Sequence, residues 1–176
     1  TARKEVDLQS LQSLGLEALQ LELDDPTSIG KALDSMLKQT HGRIYALFNN
    51  AAYGQPGAVE DLPREVLRAQ FETNLFGWHD LTTRVLPIMR QQGEGRIIQN
   101  SSVLGLVAMR YRGAYNASKF ALEGLSDTLR LELHGSGIHI SLIEPGPIES
   151  RFRANAYQKW KANITPKQSY HQQAYQ

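Results

Sequence analysis

Short apolar runs alternate with longer amphipathic stretches along this chain, and each run stops at a polar or glycine-containing corner. Ala18 to Leu23, Ile44 to Phe48, Ile97-Ile98 behind a Gly95-Arg96 turn, and Ile138 to Ile143 read as strands. Between them lie helical patterns. VDLQSLQSL places apolar residues at 6, 8, 11 and 14 and is closed by Gly15. IGKALDSMLKQ is opened by Asp25 as N-cap with Pro26 at the first position, and ends near His41-Gly42. A helix or helix pair covers about 64 to 92, with a bend expected near Pro87. The last long helix begins before Tyr115, carries one apolar face at 122, 125, 129 and 133, and stops at Gly135-Ser136-Gly137. Strands separated by helices predict an α/β fold with a parallel sheet covered on both faces. Ligands of such sheets bind outside the carboxyl ends of the strands. Asn49, Ser102 and Pro145-Gly146 all fall at such ends.

The stretch from Gly95 to Glu123 carries the chemistry. Tyr115 and Lys119 are four residues apart on a helix, hence on one face about a turn apart. Ser102 is delivered from the preceding strand end. A free phenol has a pKa of roughly 10 and is a poor proton shuttle at neutral pH. A nearby ammonium favours the phenolate, and a serine hydroxyl can bond an oxygen on which charge develops. The three groups suit a general acid/base at an alcohol or carbonyl carbon. Spacing alone is weak evidence: Tyr157 and Lys161 share it, have no serine-ended strand upstream, and read as a solvated surface. The plain alternative for Tyr115 and Lys119 is an interfacial tyrosine beside a surface lysine.

Composition narrows the remaining classes. The 176 residues are 41% hydrophobic and 21% charged with a net charge of +1, so no bulk field argues for nucleic acid or lipid. One domain, residues 1–176, with a substantial core suits this length. The absence of cysteine removes disulfides and thiolate sites and fits a reducing, cytoplasmic setting. No apolar run is long enough for a membrane span and the start has no signal-peptide pattern. The five histidines show no ligand spacing, so no metal site is expected.

The Ser102…Tyr115-Asn116-Ala117-Ser118-Lys119 arrangement closely resembles the short-chain dehydrogenase/reductases, in which a serine lies thirteen residues before a Tyr-x-x-x-Lys motif. The likeness extends over nearly the whole chain, is greatest to hydroxysteroid, retinol and aliphatic-aldehyde members, and implies a Rossmann-like doubly wound sheet. It implies Asn74, Ser102, Tyr115 and Lys119 as catalytic residues, with Asn74 holding a water in a proton relay to the lysine; taken alone, a helical asparagine is a bend or surface residue. It further implies that Asn49-Asn50-Ala51-Ala52 supports the sheet and flanks the adenosine side of a dinucleotide, through Asn49 and Ala51. The last position of that motif is Ala where the family has Gly. Glu22-Leu23 matches the adenine site, with Glu in place of the usual aspartate. Pro145 and Gly146 match the motif beside the nicotinamide, Ile148 the position whose backbone holds the carboxamide, and Ser150 replaces a threonine.

Arg3 and Lys4 match the position that faces the 2′-phosphate of NADP, which an arginine grips with two parallel bonds. NADP is therefore expected over NAD, the alternative being a solvated basic terminus. The resemblance also implies pairing of the 64–92 and 114–136 helices between subunits, as a homodimer or homotetramer, through residues such as Phe71, Leu75, Trp78, Phe120, Leu131 and Leu133. Residues 151–176 match the variable substrate lid, and the implied partner is a small apolar carbonyl or alcohol substrate. No glycine-rich strand–turn–helix pattern occurs in the sequence, so the chain is expected to be a truncated member lacking that first unit and the last strand. Two other readings stay open: a catalytically silent dinucleotide-binding regulator on the same fold, and a structural or interaction module.

Overall fold

A computed structural model describes residues 1–176. Three parallel strands form the sheet in the order β1 (Ala46–Asn49), β2 (Gly95–Asn100) and β3 (Ile138–Ile143). The register pairs Leu47 with Ile97 and Ile97 with Ile140. Before the sheet come α1 (Glu5–Ser13) and α2 (Pro26–Gln39). Asp25 caps α2 as expected, its Oδ1 accepting from the Thr27 amide at 2.8 Å. Between β1 and β2 run α3 (Arg64–Phe71) and α4 (Gly77–Gln92), joined without a break by a π-helical turn at Glu72–Phe76. Pro87, where a bend is expected, lies inside α4, which continues through it, and a π-helical irregularity sits at Asn74. α5 (Gly113–Glu132) connects β2 to β3, and α6 (Phe152–Asn163) follows β3. Gly135 and Gly137, both at positive φ, turn the chain from α5 into β3.

The core lies between the sheet and α2, α4 and α5. Ile97, Ile138 and Ile140 meet Trp78, Val85 and Met89 of α4, Leu122 of α5 and Ile29 and Leu33 of α2. Trp78, Val85, Met89 and Ile97 are wholly buried. The helix face on α5 is set by Leu122, Ser126, Leu129 and Leu133, whereas Leu125 is exposed. A 3.6-residue period accommodates either Leu125 or Ser126, and packing against the sheet selects the serine.

The alternate sheet residues face the other way. Phe48 and Ile143 are about half exposed, and His139 and Ser141 are exposed. Within these residues α2, α4 and α5 thus cover one side of the sheet. The run from Ala18 to Leu23, read as a strand, makes one parallel bridge, Gln20 to Ala2, and no ladder. Its backbone is secured locally instead, by Leu21 N on Ala2 O at 3.0 Å and Glu22 N on Ser28 Oγ at 2.9 Å. No helix is long and apolar enough to cross a membrane.

Candidate active site

Asn49, Ser102 and Pro145 lie at the carboxyl ends of the three strands, where the sheet rule puts a ligand site. The loop after β2 is tied to the loop after β3 by the Val103 amide, which donates to Pro145 O at 3.2 Å. Ser102 is nearly buried and its Oγ accepts from Leu104 N at 3.1 Å, which fixes the hydroxyl at the start of a short 3₁₀ turn. Asn116, one residue past Tyr115, anchors the rest of that loop. Its Nδ2 donates to Leu104 O and Val107 O at 2.8 Å each, and its Oδ1 accepts from Met109 N.

Tyr115 and Lys119 lie on the inward face of α5, as their spacing predicts. Burial pushes the Tyr115 phenol above its ordinary range, and the neighbouring Ser102 hydroxyl partly offsets this. The direction is opposite to the lowering expected from an adjacent ammonium. The reason is geometric: Lys119 Nζ donates to Asn100 O at 2.7 Å and stands 5.7 Å from the centre of the Tyr115 ring. Lys119 is 1% exposed, with Nζ 4.4 Å from the centre of the Trp78 ring. Burial lowers its pKa to about 7, against the opposing pull of Glu123. An ammonium has three donors, and the Asn100 bond uses one of them.

Asn74 is wholly buried in the π-helical turn. Its Nδ2 donates to Tyr53 O at 2.9 Å and Ser118 Oγ at 3.3 Å, and its Oδ1 accepts from Tyr53 N at 3.2 Å. Ser118 Oγ in turn donates to Tyr115 O. Asn74 therefore couples the loop after β1 to the backbone of the tyrosine turn. π-turns inside α-helices recur at functional sites because they re-aim one side chain.

The expected dinucleotide residues divide into two groups. Gly146, Ile148 and Ser150 are exposed on the loop after β3, with Pro145 half-buried and bonded to the loop that follows Ser102, and Ser150 Oγ accepts from Phe152 N. At the far end, Asn49 is buried and spends its amide on Thr82 Oγ1 and Gln99 Oε1 at 3.1 and 3.0 Å. Ala51 is exposed, and its carbonyl accepts from Trp78 Nε1 at 2.8 Å. Leu23 is in the core. The side chains of Asn49 and Leu23 are thus committed to the interior and not presented to a ligand. Arg3 reaches Glu22, Nε to Oε2 at 3.5 Å, while Lys4 is exposed at the start of α1.

Residues 151–176 fold over the loop after β1. The Phe152 ring meets the Tyr115 ring edge-on at 5.4 Å, over Gly54, where a Cβ would come within 3.0 Å of it. Asn163 Nδ2 donates to Gln55 Oε1 at 2.7 Å, and Tyr175 Oη donates to Asp61 Oδ2 at 2.6 Å. Tyr157 is exposed, stacked on Trp160 and under Lys161, as its surface reading required.

Sequence reasoning missed Asn116, Ser118, Phe152 and the pair Ser101–Glu123. Glu123 lies one turn past Lys119 on the same inward face, and a carboxylate there was the available signal.

A sequence model described as short chain dehydrogenase matches residues 2–161. An uncharacterized oxidoreductase of Escherichia coli, YbbO, is 47% identical over 156 residues, covering 89% of this chain and 58% of the relative. Human 17-beta-hydroxysteroid dehydrogenase type 1 is 37% identical over 137 residues, covering 78% of this chain and 41% of its own length. A crystal structure of a short-chain dehydrogenase from Streptomyces avermitilis superposes with a TM-score of 0.78 at 34% identity, over 84% of this chain and 55% of that one. The parallel sheet with its strand-end cluster is an oxidoreductase scaffold of the Rossmann type. The chain belongs to the short-chain dehydrogenase family, and it spans about half the length of the relatives it matches.

Proposed function

We propose that the whole protein is an NAD(P)-dependent oxidoreductase interconverting a carbonyl, aldehyde or ketone, with an alcohol. The observation that carries this reading is the convergence of Ser102, Tyr115 and Lys119 at the end of β2, beside Pro145 and Gly146. A bound nicotinamide would supply or accept the hydride. Ser102 Oγ hydrogen-bonds the substrate oxygen, and Tyr115 Oη gives the proton during reduction and takes it during oxidation. Lys119, with donors to spare, would hold a ribose hydroxyl of the bound cofactor beside that phenol. Asn74 orients this group through Tyr53 and Ser118. The exposed backbone around Gly146, Ile148 and Ser150 suits the nicotinamide end, and Ala51, Glu22 and Leu23 border the adenosine end. The substrate is apolar: Val103, Leu106, Val107 and Met109 expose apolar side chains on the loop beside Ser102. Phe152 and residues 151–176 form its lid.

Tyr115→Phe removes the proton donor and is expected to lower carbonyl reduction by about 10²–10⁴. Tyr157→Phe is expected to change little. Turnover of Tyr115→Phe within a factor of two of the unsubstituted enzyme would remove the assignment.

The cofactor is proposed to be NADP rather than NAD, on the strength of Arg3 and Lys4. Because Arg3 already meets Glu22, a 2′-phosphate must compete with that carboxylate. Arg3→Ala is expected to weaken NADPH binding while leaving NADH nearly unaffected, since only NADPH carries the phosphate. Equal losses in a fluorescence titration would assign Arg3 to holding Glu22 instead. The protein is further proposed to be a cytoplasmic homodimer or homotetramer.

A further inference from the structure

Glu123 occupies a position that the proposed reaction does not use. It lies one turn beyond Lys119 and two beyond Tyr115 on the inward face of α5, and it is buried. Its Oε1 accepts a hydrogen bond from Ser101 Oγ, the hydroxyl adjacent to Ser102. The loop after Ser102 closes over it, and a Cβ on Gly105 would come within 3.0 Å of both its Cγ and its Oε1. A buried carboxylate is stable only where hydrogen bonds or an opposite charge replace water. A buried ammonium has the same requirement. Lys119, wholly enclosed, is faced from β2 by the Asn100 carbonyl and from α4 by the Trp78 ring, neither of which titrates. The titratable groups nearest it are Tyr115 and Glu123, one turn to either side on its own helix; Glu123 forms no direct ion pair with it, its carboxylate being bonded to Ser101 and the ammonium to Asn100 O.

We propose that Glu123 is a positioning residue: its carboxylate ties the end of β2 that carries Ser102 to the Tyr115–Lys119 face of α5, and it supplies the negative charge nearest the buried Lys119 ammonium. The tie acts by geometry, because Ser101 cannot move without carrying Ser102 away from Tyr115. The charge acts by electrostatics, because it favours the protonated form of Lys119 that burial disfavours. Any consequence for turnover rests on the reading of Tyr115 as the acid/base group. The tie and the charge do not.

The test substitutes Glu123→Gln, which keeps the shape and the acceptor for Ser101 but removes the charge. Lys119 is followed by NMR of isotope-labelled lysine Cε across a pH titration, with its signal assigned by Lys119→Met. The Lys119 midpoint is expected to fall by roughly one unit in Glu123→Gln. A carboxylate with only a packing role would leave it in place, so an unmoved or raised midpoint overturns the proposal. Should Glu123→Gln fail to fold, the same titration is run on Ser101→Ala, which frees the carboxylate from its anchor. A moved midpoint there supports the proposal, and an unmoved one overturns it. Because the readout needs neither substrate nor cofactor, a chain that shows the shift but reduces no carbonyl refutes the enzymatic reading alone.

Discussion

Lys119 is the residue at which folding and chemistry conflict. Its folded pKa is about 7, against roughly 10.4 in an unfolded chain. Between those values the unfolded chain binds the additional proton, so stability rises with pH across that window. Below it the full cost of burying the charge is present. Urea unfolding at pH 7 and at about pH 9 is therefore expected to show the unsubstituted chain gaining stability relative to Lys119→Met. A difference independent of pH would mean that Lys119 is solvated in the folded chain. The same burial raises the Tyr115 phenol, so in the unliganded chain the two groups are held with the proton on the tyrosine. That is the form required to protonate a carbonyl oxygen.

At the scale of elements, α3, the π-helical turn and α4 form one continuous support. Gly77 opens α4 at the point where it crosses the backbone of Leu23, and a Cβ there would overlap Leu23 O. Neither backbone can yield without shifting the turn that presents Asn74. Gly77→Ala is expected to cost about 1–3 kcal/mol, as overpacking does. Gly124, in the middle of α5, has open space where a methyl group would stand, with nothing within 4 Å of it, and no positive φ. Gly124→Ala is expected to stabilise the chain by about 0.5–1 kcal/mol through the lower entropy of the unfolded backbone. Thermal denaturation of the two variants checks both, and opposite shifts in Tm are the expected outcome.

For the whole molecule the question is which apolar surfaces remain after folding. Of the residues expected at a subunit interface, Leu75, Trp78 and Leu133 are buried within the chain itself and Phe71 is half-buried. Phe120 and Leu131 are 46% and 79% exposed, and eleven residues apart they share one side of α5. The proposed homodimer is thus narrowed to that outer side of α5. Each large apolar side chain covered there would contribute roughly 1.5–3 kcal/mol. Sedimentation equilibrium at micromolar concentration is expected to give a dimer mass, and Leu131→Glu a monomer. A monomer in the unsubstituted protein removes the proposal. A variant that stays dimeric moves the interface elsewhere.

Short-range geometry was legible in the sequence. The four-residue spacing of Tyr115 and Lys119, the Asp25 cap, the glycine turns at 15 and 135–137 and the strand ends at Asn49, Ser102 and Pro145 depend on backbone periodicity and local conformational preference. Those rules act over a few residues and require no knowledge of distant ones. Packing between distant segments decided the remainder. It chose Ser126 over Leu125 for the buried face, reduced Ala18–Leu23 to a single bridge, and put a π-helical irregularity at Asn74. It also set Phe152 against Tyr115, and Ser101 against Glu123 across 22 residues. Burial and the identity of each partner are properties of how separate elements meet, so the charge state of Lys119 was fixed only when the chain closed around it.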